Sequence, residues 1–306
     1  MRNLFLGVWC LLIIGALHAQ TDNNPKEIIY GRKDGVALTM IQLAPGGNPK
    51  HRGIVRVMAG SWYSSYGMAT REGTIELARE LYVDRGYTVF EVIVGSQPRF
   101  AIPEQISDVK RAVRYIRYHA KELGIDPGHI GIEGYSAGGH LSLAVATADE
   151  KIDTASKDPV DQVSSRVQAA AVLFPPTDFL NWPPFGNVIN AKQLLLTYGV
   201  YGALDFKKWN DKTYTYDIVS DTAERNKIGR EISPLYSVTR DDPPIFIIHG
   251  DADQTVPLEQ SQVFIAKLKE VGVPNNYIIK KGAAHDQSAM MPEMKQFTDW
   301  FDKYLK

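Results

Sequence analysis

The sequence predicts an α/β fold: a mostly parallel central sheet flanked by helices, with antiparallel strands at its N-terminal start. Three observations carry this. Short apolar runs alternate with helical periodicities along most of the chain. The segment Gly134-Tyr135-Ser136-Ala137-Gly138 joins such a run to a good helix former. Beyond Ser136, an aspartate-bearing loop and a late histidine each follow an apolar run closely.

The elements follow in order. Ile28–Tyr30 and Val36–Leu43 read as strands joined by a turn at Asp34-Gly35, which gives the antiparallel start. Residues 44–52 carry Pro45, Gly46, Gly47 and Pro49 and read as a loop. Gly53–Met58 is the next strand, and residues 59–70 read as a loop. Helices are expected over Glu72–Asp84 and over a segment whose Ile106, Val109, Val113 and Ile116 share one face, with the strand Thr88–Val94 between them. His129–Ile132 is the strand leading to Ser136. Val167–Phe174, Pro244–Ile248 and Tyr277–Lys280 are further strands, with a helix over Leu258–Val271. Phe297, Trp300, Phe301 and Tyr304 mark the apolar face of a final helix.

Residues 177–242 break the alternation. They carry no clear strand but many aromatics, among them Phe179, Trp182, Phe185, Tyr198, Tyr201, Phe206, Trp209, Tyr214 and Tyr216. A helical cap inserted between two sheet strands is the expectation, with a peripheral insert as the alternative. At the other end, residues 1–19 read as a secretory signal: Arg2, then an almost wholly apolar Leu4–Leu17, then a small-residue cleavage site at Ala19. Residues 20–306 then form one domain, secreted or periplasmic. The apolar run is shorter than the roughly 20 residues a membrane span requires. Cys10, the single cysteine, falls inside it. A formal net charge of −1 with no basic run argues against nucleic acid or anionic membranes as partners.

The chemistry converges on acyl transfer. A serine hydroxyl needs a base, and the base needs an anion to hold its tautomer. Ser136 sits at the centre of a glycine turn, His285 is the base, and Asp253 in His249-Gly250-Asp251-Ala252-Asp253 is the acid, ahead of Asp251 and Asp178. The oxyanion hole is expected from the Ala137 N–H and from the loop Ala59-Gly60-Ser61. His140, one turn into the nucleophile helix, is expected to support the site without reacting. No metal-ligand spacing and no phosphate or dinucleotide motif occurs, so no metal or cofactor is expected.

With these residues in view, the chain from about Val36 onward resembles α/β-hydrolases of the esterase/lipase kind. It is similar to the hormone-sensitive-lipase-like and bacterial feruloyl or acetyl-xylan esterase groups. The resemblance rests on Ile125-Asp126-Pro127 leading into Gly134–His140, on Asp242-Pro243-Pro244 followed by His249–Asp253 and Val256-Pro257, on Phe100–Pro103, and on His285. It implies Ser136, Asp253 and His285 as a triad and Ala59 and Gly60 as oxyanion donors beside Ala137. One departure stands out. Where such enzymes carry H-G-G-G-W, this chain has Met58-Ala59-Gly60-Ser61-Trp62. Resemblance and export together imply a small-molecule or carbohydrate ester substrate, with acyl groups on polysaccharides. A prolyl-oligopeptidase-like peptidase and a non-catalytic binding protein on a hydrolase scaffold are the rival expectations.

Overall fold

The computed structural model describes residues 24–150, 152–182 and 199–306. The expected signal segment and Cys10 lie outside the described residues, as do Phe185 and Tyr198 of the aromatic insert.

Eight strands form one sheet in the order β1-β2-β4-β3-β5-β6-β9-β10. They are β1 (Lys26–Lys33), β2 (Val36–Leu43), β3 (Gly53–Val57), β4 (Thr88–Val92), β5 (Ile130–Tyr135), β6 (Ala169–Leu173), β9 (Ile245–Gly250) and β10 (Asn275–Lys280). The β1–β2 and β2–β4 pairs are antiparallel. Every later pair is parallel. Residues of β3, β4, β6 and β9 are buried on both faces, which is why these strands read as nearly unbroken apolar runs.

Helices cover both faces. On one side α3 (Ile102–Tyr118), α4 (Ala137–Ala146) and α6 (Glu259–Val271) pack on Val55, Ile132, Val172 and Ile247. On the other, α2 (Glu72–Leu81) and α7 (Gln287–Tyr304) pack on Ile54, Ala171, Phe246 and Ile248. Phe297 and Phe301 of α7 are fully buried there, each stabilising the layer by roughly 1.5–3 kcal/mol.

Two stretches differ from the sequence expectation. Residues read as a loop before α2 hold a one-turn helix α1 (Tyr66–Ala69), capped by the Ser65 side chain accepting from the Met68 N–H. The insert is not strand-free. It contains an antiparallel hairpin of β7 (Lys207–Asn210) and β8 (Thr215–Ile218), followed by α5 (Thr222–Glu231). Both hairpin strands are four residues long and almost wholly exposed, so neither shows the alternation that marks a strand. The aromatics divide accordingly: Phe179, Trp182 and Phe206 are buried, whereas Trp209, Tyr214 and Tyr216 are exposed on the hairpin.

Candidate active site

The carboxyl edge of the parallel sheet assembles the site. β5 ends at Tyr135 and α4 begins at Ala137, so Ser136 alone makes the turn, with φ 52° and ψ −120°. That is a strained backbone for a non-glycine residue. Its neighbours leave no room. A Cβ on Gly134 would stand 2.3 Å from the Gly138 carbonyl oxygen, and one on Gly138 would stand 2.3 Å from that of Val57. The Ser136 N–H donates to Leu173 O at 3.0 Å and holds the turn against β6.

The loops after β9 and β10 bring up the partners. His285 Nε2 lies 2.9 Å from Ser136 Oγ, and His285 Nδ1 lies 2.7 Å from Asp253 Oδ2. The network fixes the tautomer: Nδ1–H donates to the carboxylate, leaving Nε2 to accept the serine proton. Asp253 is buried, and its Oδ1 accepts from the Thr255 and Val256 N–H groups at 2.9 Å each. Burial raises the Asp253 pKa. Hydrogen bonds from His249 and His285, the His285 charge and the Val256 N–H outweigh that and hold it well below the usual carboxylate range. The Phe174 ring, 4.2 Å from the His285 ring, packs against the imidazole.

Neither rival acid meets His285. Asp251 is exposed and accepts from the Gly282 N–H at 2.5 Å, tying the two loops together. Asp178 accepts from the Leu180 and Asn181 N–H groups and from Tyr236 Oη. His140 is fully buried between Trp62 Nε1, which donates to its Nδ1 at 3.0 Å, and Ile232 O, 2.7 Å from its Nε2.

The loop expected to supply oxyanion donors is folded on itself. The Ala59 N–H donates to Val57 O at 3.1 Å and the Gly60 N–H to Tyr63 O at 2.9 Å, so both are engaged within the loop. Ser61 and Trp62 adopt φ of 48° and 57°, closing a tight turn in which Gly60 and Tyr63 exchange hydrogen bonds. Ala137 is the first residue of α4, where a backbone N–H has no partner within its helix.

Two cavities flank Ser136. One of about 540 Å³ is lined by Met58, Gly60, Arg71, Leu77, Phe174 and His285, with Arg56 and Glu133 at its base. The other, about 40 Å³, is apolar and lies between Trp62, Phe179, Trp182, Val200, Leu204 and Val256.

Below the first cavity lies a cluster that sequence reasoning missed. Arg56 of β3 pairs in register with Glu91 of β4 and Glu133 of β5. Its Nε donates to Glu133 at 2.6 Å and its NH1 to Glu91. Tyr82 and Tyr135 also donate to Glu133. Burial pushes the Glu91 carboxyl up to about 7 despite Arg56 beside it. The available signal was one charged residue in each of three apolar strands.

A family model described as BD-FAE matches residues 40–268. The chain belongs to the BD-FAE family. Its relatives include esterase LipC of Mycobacterium tuberculosis, 26% identical over 89% of this chain and 62% of that protein. The probable carboxylic ester hydrolase LipM of the same organism is 27% identical over 71% of this chain and 45% of its own length. The chain thus spans about half the length of the curated relatives it matches. Among solved structures, a truncated carbohydrate esterase from gut microbiota superposes with a TM-score of 0.70 at 24% identity, covering 92% of this chain and 97% of that one. An acetyl ester-xyloside bifunctional hydrolase from Caldicellulosiruptor lactoaceticus gives 0.68 at 22%, covering 91% and 96%. These likenesses show that this BD-FAE chain has the α/β-hydrolase fold.

Proposed function

We propose that this BD-FAE chain is an exported serine hydrolase that cleaves carboxylic esters, acting on short acyl groups carried by saccharides. The observation that carries the reading is the unbroken hydrogen-bonded row from Ser136 through His285 to Asp253 at the mouth of a cavity. The names of the mycobacterial relatives support esters over peptides. The apolar run Leu4–Leu17 behind Arg2 supports export.

In this reading His285 Nε2 takes the Ser136 proton as Oγ bonds to the acyl carbon. Asp253 stabilises the resulting imidazolium. The developing oxyanion is met by the Ala137 N–H. A second donor from the preceding loop requires the Gly60 N–H to leave Tyr63, or a neighbouring peptide of that turn to serve. Collapse breaks the bond to the alcohol oxygen, which takes the proton from His285. Water, deprotonated by the same histidine, then releases the acid and restores Ser136.

In this reading the two cavities take the two halves of the ester. One water needs about 10–15 Å³ by this measure, so the apolar cavity of about 40 Å³ suits an acyl chain of roughly two or three carbons. The cavity of about 540 Å³ falls within the usual range for a small-molecule site, about 300–1,000 Å³, and suits a sugar alcohol.

Turnover of nitrophenyl esters from acetate to octanoate tests this, run beside Ser136→Ala. The expected result is hydrolysis favouring acetate and propionate, and a kcat reduced about 10⁴-fold or more by the substitution. No hydrolysis by folded protein would favour a binding scaffold, for which the engaged Ala59 and Gly60 N–H groups supply a reason.

A further inference from the structure

Gln97 is buried, touches neither cavity, and uses its whole side-chain amide. Its Nε2 donates to Ser61 O at 2.8 Å and Gly199 O at 3.1 Å. Its Oε1 accepts from the Tyr201 and Gly202 N–H groups at 2.7 and 2.8 Å. All four partners are backbone groups of known polarity, so the orientation of the amide follows from them. The Gln97 N–H adds a fifth bond, to Trp62 O at 3.1 Å.

The partners form a pattern. Gly199 O and the Tyr201 N–H belong to the two peptide units on either side of Val200. Ser61 O and Trp62 O belong to the two on either side of Trp62. Trans peptide units are planar, so fixing one polar group of each fixes the unit. Val200 and Trp62 are both walls of the small apolar cavity against Ser136. One residue therefore holds both peptides of two facing cavity walls: its side chain bonds both units flanking Val200 and the Ser61–Trp62 unit, and its own N–H bonds the Trp62–Tyr63 unit. One wall belongs to the turn after β3 and the other to the insert, far apart in sequence. The insert is also close-packed on the loop that carries Gln97: a Cβ on Gly202 would stand 2.6 Å from both Cα and Cβ of Pro98.

We propose that Gln97 is a positioning residue that sets acyl-chain selectivity, by holding Trp62 and Val200 at a fixed separation across the acyl cavity. The acyl role rests on the esterase reading above; the clamp itself does not. With the clamp intact the cavity admits only a short chain, and the Ser61–Trp62 turn stays in register with Ser136. Without it, the insert segment moves away, longer chains enter, and the turn loses its alignment with the reacting carbonyl.

Two substitutions attack the clamp from opposite ends. Gln97→Leu keeps the volume and removes the four amide bonds. Gly202→Ala forces the insert off Pro98 while leaving Gln97 in place. In both, the ratio of kcat/KM for hexanoate over acetate is expected to rise about tenfold, the scale on which a pocket discriminates chain length. kcat on acetate should fall more than KM changes. Ile265→Val, a buried change on α6 away from the cavity, is the control for mere loss of stability and should leave the ratio alone. A ratio within twofold of wild type in folded Gln97→Leu overturns the proposal, whatever its melting temperature.

Amide hydrogen exchange reads the clamp without turnover. Gly202→Ala should speed exchange over residues 61–63 as well as around 199–204. Unchanged exchange at 61–63 overturns the coupling even if activity changes. A wild-type protein that hydrolyses no ester yet shows the exchange response would instead bring down the esterase reading, and the acyl role with it, while the clamp stands.

Discussion

Two buried ionic assemblies sit within one strand of each other, and they are built on opposite plans. The row Ser136–His285–Asp253 is made of side chains from three loops, with its middle member half-buried and open to a cavity. The cluster Arg56–Glu91–Glu133 is made from three adjacent strands in register and is buried beneath the same cavity. In the row, each polar atom is aimed at one proton route, and the strain is held in the backbone at Ser136. In the cluster, one guanidinium faces two carboxylates, and burial raises the Glu91 pKa to about 7 despite that cation. On the esterase reading, the difference separates a charge arrangement placed for reaction from one placed to hold strands together. Loss of a member should show in catalysis for the first and in stability for the second.

The largest expected effect is on the reactive row. Asp253→Asn leaves the volume unchanged but favours the wrong His285 tautomer, and should lower kcat about 10⁴-fold with the fold retained. Asp251→Asn, at a side chain that bonds the Gly282 N–H, should change kcat by no more than a few-fold. Steady-state kinetics on acetate esters distinguish them; equal losses would erase the distinction between the two aspartates.

Next comes the buried cluster. Arg56→Met leaves Glu91 and Glu133 buried without their cation, and should cost about 3–5 kcal/mol in urea unfolding. Removing the carboxylates as well, in Arg56→Met with Glu91→Leu and Glu133→Gln, should recover most of that. If the single change costs little stability but abolishes turnover, the cluster belongs to the reaction and the comparison fails.

These two assemblies were unequally legible in the sequence. Ser136, Asp253 and His285 lie in loops that directly follow apolar strands, and the parallel sheet brings those loop ends to one edge. Arg56, Glu91 and Glu133 lie inside strands, and each looked like an isolated charge. Only the strand order β4-β3-β5 and its register bring them together. The hydrogen bonds made by the Ala59 and Gly60 N–H groups were illegible for a different reason. Where an N–H points depends on the turn that follows, and nothing in Met58-Ala59-Gly60-Ser61-Trp62 announces left-handed backbone at both a serine and a tryptophan. Gln97 was equally invisible, because its role exists only once residues 61–62 and 199–202 are neighbours.

The smallest effect tests whether His140 is support and His285 the reacting base, two residues of one type given different work by their surroundings. His140 is fully buried, accepting from Trp62 and donating to Ile232 O. Burial pushes its pKa down to about 4, with the Ile232 carbonyl opposing in part. An unfolded histidine titrates near 6.5, so between those values the unfolded chain binds the extra proton. The contribution is therefore fully present above about pH 6.5 and is lost as pH falls towards 4, amounting to about 2 kcal/mol between pH 7 and 5. His140→Gln keeps a donor and an acceptor but has nothing to titrate. Urea unfolding at the two pH values should show wild type losing about 2 kcal/mol more than the variant. Equal losses would mean that His140 takes up its proton in the folded state, and that the Trp62 turn rests on a charged rather than a neutral imidazole.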